Sequence, residues 1–245
     1  MITPNPSDAK HKIQLIRLLT ALVDDVYISH WVHFKGGTCA AMLGYLDRFS
    51  IDLDFDIEKN VNIKTMRNRI SKCCTSVGLT IKSKSTNTLF YILKYDAPQG
   101  EKNSLKLSFM SEETEGNKYE KKYIAEIDRF VSCQTIETMF ANKLVVLTGR
   151  YKKNKSIAVR DVYDIHHFFE MGYQYDPNII KLRTKKSIPK YLKEVIAFIA
   201  KMITNLAISE DLSFLLEHAH FMNIRKTIKR ETIGLIQDEI NRLSK

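Results

Sequence analysis

Cysteine, proline and glycine are all scarce in this chain. Its 245 residues include four cysteines, five prolines and nine glycines. The thiols of Cys39, Cys73, Cys74 and Cys133 form neither a C-x-x-C pair nor a Cys/His cluster with zinc-like spacing, so neither a disulfide framework nor a structural zinc site is indicated. So little proline and glycine also excludes a collagenous or linker-rich chain.

Long hydrophobic runs are missing as well. No apolar run approaches the roughly 18 to 20 residues that span a bilayer, and the first residues contain no apolar segment that follows a basic one. We therefore expect a soluble, cytoplasmic protein that has no membrane partner.

The chain has enough apolar residues for a core and a clear excess of positive charge. Hydrophobic residues make up 44% of it, which excludes disorder and suits one large domain or two small ones. Lys and Arg number 38 against 28 Asp and Glu, for a net charge of +10. This excess favours phosphate-bearing partners such as nucleic acid, although lysines spread over helix faces can serve solvation alone.

Hydrophobic periodicity predicts two modules that differ in secondary structure. In residues 1–135, helices are expected at 7–27, 40–46 and 62–77, and strands at 30–34, 51–57, 79–83, 89–95, 105–109 and 123–127. In residues 136–245, only helices are expected, at 136–149, 158–171, 189–206, 209–222 and 225–243. The predicted fold is α+β, with a mixed sheet and flanking helices followed by a C-terminal helical bundle.

The most distinctive predicted strand is acidic on one face. Residues 51–57 alternate between apolar side chains and Asp52, Asp54 and Asp56. Positions i and i+2 of a strand lie about 6 to 7 Å apart on one face, so Asp52 and Asp54 could share one hard cation such as Mg²⁺. The alternative is an ordinary exposed strand with acidic residues, but such a row of carboxylates is self-repelling.

A glycine turn precedes this strand. Lys35-Gly36-Gly37-Thr38 lies where a predicted strand is followed by a helix, a place where main-chain amides can approach a phosphate. The spacing fits neither a P-loop nor a dinucleotide-binding motif. Taken alone, Gly-Gly-Thr is also compatible with a plain turn that caps a helix.

Together these segments resemble a known family. Lys35-Gly36-Gly37-Thr38 followed by Arg48-Phe49-Ser50-Ile51-Asp52-Leu53-Asp54-Phe55 is similar to the signature of the AbiEii toxin family, whose members are nucleotidyltransferase-like. Further along, Ala141-Asn142-Lys143-Leu144 with Arg150, and Arg160-Asp161-Val162-Tyr163-Asp164-Ile165, resemble two helical motifs of that family in the same order.

The resemblance implies a DNA-polymerase-β-like nucleotidyltransferase core in residues 1–135. On this basis Asp52 and Asp54 would bind Mg²⁺, Lys143 would clamp phosphate, and Asp161 would be a catalytic or substrate-positioning carboxylate. The residues expected to contact the NTP are Lys35, Gly36, Gly37, Thr38 and Arg48. Arg48 could equally hold the acidic strand in place.

The residues themselves leave alternatives open for the helical motifs. Lys143 lies in an otherwise apolar helix, where a charge is costly unless it is paired or reaches a polyanion. It could also extend its ammonium from a half-exposed face. Asp161 and Asp164 share a helix face, and structural ion pairing is a second explanation for them.

The chain departs from the polymerase-β pattern at one position. Enzymes of that superfamily usually have a third carboxylate on a neighbouring strand, and the corresponding residue here is Ser108. A serine cannot act as a base near neutral pH. Either Asp56 or Asp161 replaces the carboxylate, or catalysis depends on charge neutralisation and alignment.

The resulting hypothesis is a magnesium-dependent enzyme that transfers NMP from NTP to an acceptor hydroxyl. Family resemblance and charge favour RNA, such as a tRNA end, as the acceptor, with the chain acting as the toxin of a toxin–antitoxin pair and a cognate antitoxin as its possible partner. One alternative is transfer to a small molecule such as an antibiotic. Another is a nucleotide- or RNA-binding protein with little or no turnover.

Overall fold

The computed structural model describes residues 1–111 and 114–244, which form two compact units. The first unit contains Met1–Thr114 and Lys118–Gln134, and the second contains Glu115–Asn117 and Thr135–Lys245.

The first unit is built on a seven-stranded mixed sheet. Its strands are β1 (Val32–Lys35), β2 (Asp52–Ile57), β3 (Thr80–Lys84), β4 (Leu89–Lys94), β5 (Ser104–Met110), β6 (Tyr119–Ile124) and β7 (Arg129–Gln134). They are arranged in the order β3-β4-β5-β2-β1-β7-β6. The β2–β5 and β1–β7 pairs are parallel, and the other pairs are antiparallel. The helices of this unit are α1 (Asp8–Asp24), α2 (Val26–Trp31), α3 (Gly36–Met42) and α4 (Ile63–Ser76).

One face of this sheet forms the hydrophobic core with α1 and α4. Strand residues Leu53, Phe55 and Leu107 are at most 1% exposed, and the Phe55 and Phe109 rings stack with centroids 5.0 Å apart. Because side chains alternate along a strand, Asp52 and Asp54 project from the opposite, open face. The two-residue alternation therefore predicted this strand correctly.

The second unit is helical. Its helices are α5 (Ile136–Asn154), α6 (Val159–Glu170), α7 (Pro177–Thr184), α8 (Ile188–Met202), α9 (Asn205–Leu212) and α10 (His218–Leu243). The long α10 packs on α6 and α8, and α5 packs on α6 and α7. Residues 115–117 belong to this unit because the Asn117 carboxamide oxygen accepts hydrogen bonds from Arg183 (2.7 Å) and Asn142 (3.3 Å). The α+β class, with a mixed sheet and a helical bundle, is confirmed.

None of the described helices has both the length and the apolar character needed to cross a lipid bilayer.

The predicted first helix is interrupted at Asp25. This residue is extended, and its carboxylate accepts a hydrogen bond from the Ile28 amide at 3.0 Å, so that α2 begins there. His30 and Trp31, which were expected in a strand, complete α2 instead. Ser7 is the N-cap of α1, but its side chain makes no capping hydrogen bond.

The other differences occur where apolar periodicity is a poor guide. The expected strand at 123–127 overlaps β6 only at Tyr123 and Ile124. Strand β7, whose Phe130 is 71% exposed, was not predicted. Helix α7 was also missed. The expected helix at 209–222 ends at Leu212, since buried Leu215 and Leu216 continue the apolar pattern through a non-helical link to α10.

The turn between β1 and α3 depends on two glycines that face the start of β2. Gly36 has φ +79°, and a Cβ there would lie 3.0 Å from Asp54 Oδ2. A Cβ at Gly37 would lie 2.6 Å from Arg48 Nη2 and 3.1 Å from Ser50 Oγ. Helix α3 therefore begins at Gly36, earlier than predicted, and ends at Met42.

A buried histidine connects α1 to the strands. His11 is 1% exposed, and its ring nitrogens contact the Tyr95 hydroxyl (2.6 Å) and the Ile51 carbonyl (2.9 Å). Since a carbonyl only accepts, Nε2 carries the proton and Nδ1 accepts from Tyr95. Burial raises the pKa of Tyr95 to about 12 and lowers the pKa of His11, which favours this neutral tautomer.

We expect Gly37→Ala to destabilise the protein by about 1 to 3 kcal/mol, because the new methyl group meets the buried Arg48 guanidinium. Urea unfolding followed by circular dichroism measures this free energy. The matched control is Gly149→Ala in α5, where a Cβ meets nothing within 4 Å. The control should be stabilised by about 0.5 to 1 kcal/mol, and equal effects of the two substitutions would contradict the proposed packing.

We expect the free energy of unfolding to fall as the pH is lowered from about 7 to 5, in part through His11. The unfolded state takes up a proton as the pH drops below the usual histidine pKa, whereas burial delays protonation of the folded state. The contribution of one such group approaches about 1.4 kcal/mol per pH unit. His11→Gln should reduce this slope, whereas the exposed control His30→Gln should leave it unchanged. An unchanged slope in His11→Gln would contradict the assignment.

Candidate active site

The open face of the sheet brings the acidic row of β2 beside residues of β1 and β5. Asp54 is in register with Lys35 on β1 and Ser108 on β5, and Asp52 is in register with Lys106. Residues in register on adjacent strands project to the same face. Asp52 and Asp54 are both half-buried, so neither residue is fully enclosed by the protein.

The glycine turn lies directly against this row. The Asp54 carboxylate occupies the space beside Gly36 that a side chain would fill, at 3.0 Å from the Cβ position. The main chain at Gly36 therefore lies closer to Asp54 than a side chain at position 36 would allow. The two segments that the sequence singled out are neighbours in the first unit.

The donor set at this place suits a magnesium ion. Within residues 1–111 and 114–244, no three His, Cys, Asp or Glu side chains form a group that could hold a metal ion. Asp52 and Asp54 would thus supply two carboxylates, and Mg²⁺ typically takes one or two carboxylates and completes its shell with water and substrate phosphate oxygens. The residues present therefore fit this ion when a triphosphate accompanies it.

Asp56, the third acid of the row, is buried, unlike Asp52 and Asp54. It is 1% exposed, and its carboxylate accepts hydrogen bonds from Lys35 (2.6 Å), the Tyr119 hydroxyl (2.9 Å) and the Gln134 amide (2.6 Å). These contacts give Asp56 a structural role, and the suggestion that it replaces a missing catalytic carboxylate stays a prediction. Lys35, expected to contact nucleotide, has its ammonium held by this same carboxylate.

Tyr119 and Gln134 were not recognised in the sequence. Tyr119 also stacks on His33, with ring centroids 3.8 Å apart. Both residues reach Asp56 only because β7 pairs in parallel with β1 and β6 pairs with β7. Neither residue lies within a predicted strand, so the sequence could not place them beside Asp56.

Thr38 and Arg48 are buried next to the glycine turn. The Thr38 hydroxyl contacts Ser50 Oγ at 2.8 Å and the Asp52 carbonyl, and the residue is 1% exposed. Arg48 is 2% exposed and donates from Nη1 to the Phe49 carbonyl at 2.9 Å. Of the two roles considered for Arg48, this burial favours holding the acidic strand and the glycine turn together.

The helical motifs form a charged cluster within the second unit. Lys143 lies 2.7 Å from both Asp161 Oδ1 and Asp164 Oδ2, and Arg150 lies 3.2 Å from Asp161 Oδ2. The geometry at Asp161 Oδ2 does not amount to a hydrogen bond, so we treat the Arg150 contact as a charge interaction only. Both aspartates are at most 2% exposed, and the two cations balance their charge. The predicted roles of Lys143 and Asp161 in catalysis stay predictions.

Known structures share this architecture. A candidate nucleotidyltransferase from H. pylori superposes with a TM-score of 0.61 at 21% identity, covering 98% of each chain. JHP933 from Helicobacter pylori gives a TM-score of 0.55 at 18% identity, covering 99% of this chain and 98% of that one. MenT4, a nucleotidyltransferase toxin from Mycobacterium tuberculosis, gives 0.54 at 17% identity, covering 96% and 87%. At these identities the likeness shows a common fold.

Comparison with curated protein sequences gives no match. The profile of a protein family does match, over residues 17–237, and that family is described as nucleotidyl transferase AbiEii toxin of type IV toxin–antitoxin systems. The match covers most of the chain and includes all the motifs noted in the sequence, so this chain belongs to the AbiEii family of nucleotidyltransferase toxins.

Proposed function

We propose that this protein is a magnesium-dependent nucleotidyltransferase that transfers NMP from NTP to an acceptor hydroxyl and releases pyrophosphate. The observation that carries the proposal is the contact between Gly36 and Asp54, on a strand where the half-buried Asp52 and Asp54 share one face. A site for polyphosphate and a site for its cation are thereby adjacent within one unit.

The carboxylates of Asp52 and Asp54 are the ligands that we assign to the cation. Their positions at i and i+2 on a strand place them about 6 to 7 Å apart, a separation that one ion can bridge after small side-chain rotations. Bound there, Mg²⁺ would neutralise triphosphate oxygens and the negative charge that builds on the pyrophosphate leaving group.

The triphosphate is assigned to the main chain of the glycine turn. Gly36 and Gly37 are the first residues of α3, so their amides have no hydrogen-bond acceptor within the helix. The Thr38 hydroxyl is already bonded to Ser50 and to the Asp52 main chain, so any contact from this residue would come from its amide. Arg48 would act indirectly, by keeping the turn against β2.

Ser108 limits how the acceptor can be activated. It lies in register with Asp54 on the adjacent parallel strand, where a third carboxylate would face the same cation. Because a serine does not take up a proton near neutral pH, we propose that the site depends on alignment and charge neutralisation. The same residue favours the second candidate, a protein that binds nucleotide with little turnover.

The roles proposed for Lys143 and Asp161 rest on the family resemblance. In the second unit these residues form a balanced cluster with Asp164 and Arg150, which a purely structural ion pair would also explain. We propose that Lys143, whose side chain is 18% exposed, clamps phosphate and that Asp161 positions it.

RNA, such as a tRNA end, is the acceptor that we propose, in keeping with the net charge of +10. Modification of such an RNA would arrest growth, which fits a toxin, and we propose a cognate antitoxin as its partner. Incubation with radiolabelled NTPs, Mg²⁺ and total RNA tests this directly. Label on RNA supports the proposal, label on an added aminoglycoside or lincosamide favours a small-molecule acceptor, and tight NTP binding without transfer favours the binding protein.

We expect Asp52→Asn and Asp54→Asn each to lower the rate of label transfer by about 100-fold or more, because the cation loses a charged ligand. Mg²⁺-dependent binding of a fluorescent NTP should weaken in parallel, which provides a readout that is independent of turnover. The control is Asp96→Asn, an exposed acid in the loop between β4 and β5. If both β2 variants transferred label as well as the control, the metal assignment would be wrong.

We expect Ser108→Asp to raise the transfer rate by about tenfold or more, since it supplies a base at the register position of Asp54. The rate should also acquire a dependence on a carboxyl ionisation at low pH. Ser108→Asn, which has the same shape without the charge, should show neither effect. A slower or unchanged Ser108→Asp enzyme would mean that acceptor activation does not limit the reaction.

A further inference from the structure

The open face of the sheet extends from the acidic pair across β5 and β4. In register order, Ser108 is beside Phe90 and Lys106 is beside Ile92, while Lys94 follows one row further along β4. We call these five residues the β4–β5 face: Phe90, Ile92, Lys94, Lys106 and Ser108. All project to the same side as Asp52 and Asp54, because register partners share a face.

The chemistry of this face differs from that of the acidic pair. Lys94 and Lys106 are exposed, whereas Phe90 and Ile92 are half-buried, so that apolar ring and side-chain surface reaches solvent. Ile92 is the register partner of Lys106, Phe90 lies one row to one side of it, and Lys94 lies one row to the other. On the other face of the same strands, Leu93, Leu105 and Leu107 are fully buried in the core. The open face of β4 and β5 therefore combines a half-buried aromatic ring with two exposed lysines, one and two rows further along the strands.

We propose that the β4–β5 face binds the acceptor as a single-stranded polynucleotide, an inference that rests on the proposed function. Lys106 contacts the phosphate nearest the reacting hydroxyl, because its register partner is Asp52 and the cation site is one strand away. Lys94 contacts a neighbouring phosphate. The Phe90 ring, in line with Ser108 and Asp54, stacks on a base.

Charge and shape together select this occupant. Lysines neutralise phosphates but repel a cationic antibiotic, so the face disfavours aminoglycosides as acceptors. A base can stack on Phe90 only when it is not already stacked within a duplex, which favours a single strand or an unpaired end.

The test measures binding without transfer, by fluorescence anisotropy with a labelled single-stranded RNA of about 12 nucleotides and with a duplex of the same sequence. Binding is measured at several salt concentrations. Lys106→Gln and Lys94→Gln should each reduce the slope of log affinity against log salt by about 0.7, the value for one phosphate contact to a single strand. Phe90→Leu should weaken binding by about tenfold while leaving the slope unchanged.

The matched control is Lys72→Gln, an equally exposed lysine on α4, which covers the other face of the sheet. Its affinity and salt slope should equal those of the parent protein. The proposal is overturned if Lys106→Gln and Lys94→Gln behave like this control, or if the duplex binds as tightly as the single strand. Circular dichroism verifies that each variant is folded.

The two proposals fail in different ways. If the parent protein binds single-stranded RNA with the expected salt and Phe90 dependence yet transfers no label, the proposed function is wrong and the binding face stands. If the parent protein labels RNA while the Lys106, Lys94 and Phe90 variants bind RNA as it does, the enzyme stands and the face is wrong.

Discussion

The close packing of the Gly36–Gly37 turn against β2 is the constraint on which the candidate site depends. Side chains at either position would meet Asp54 or Arg48 at 3.0 Å or less. Their absence lets the main chain at Gly36 lie close to the Asp54 carboxylate. Arg48 is buried, fills the space beside Gly37 and donates a hydrogen bond to the Phe49 carbonyl, so that it helps to hold the turn in place.

The three aspartates of β2 have different surroundings because different strands lie on the two sides of β2. Toward β7 and β6, Lys35, Gln134 and Tyr119 satisfy Asp56, and such a buried carboxylate is tolerated only when it is paired and hydrogen-bonded. Toward β5, Asp52 and Asp54 are in register with Lys106 and Ser108 and are only half-buried. One repeating pattern thus produces a structural anchor and a candidate cation site.

In the second unit, the charged residues of α5 are paired with acids of α6. Lys143 and Arg150 lie on α5, where most neighbours are apolar, and the acids of α6 supply their counter-charges. The motif residues are therefore close together in space although 18 positions separate Lys143 from Asp161. This arrangement explains why these residue types occur together, whether or not a nucleotide also uses them.

Local patterns in the sequence were sufficient for the fold class, for β2 and for the family. Alternation of period two defines a strand with two unlike faces, and the glycine turn beside it is a local feature, so both could be recognised without tertiary information. Propensity was less informative at the break before α2, in the β6–β7 hairpin and between α9 and α10, where a cap, an exposed edge and a continuous apolar pattern obscure the boundaries.

The sequence by itself determined which residues of β2 share a face, because side chains alternate along any strand. It also determined that a glycine turn precedes this strand. Only the tertiary structure decided that the Asp56 carboxylate accepts hydrogen bonds from Tyr119 and Gln134 and that Arg48 is buried. It also decided that Lys106 and Phe90 lie on the same face of the sheet as Asp52 and Asp54. The physical reason is that each of these contacts depends on strand order and register, which join residues distant in sequence and are invisible to local periodicity.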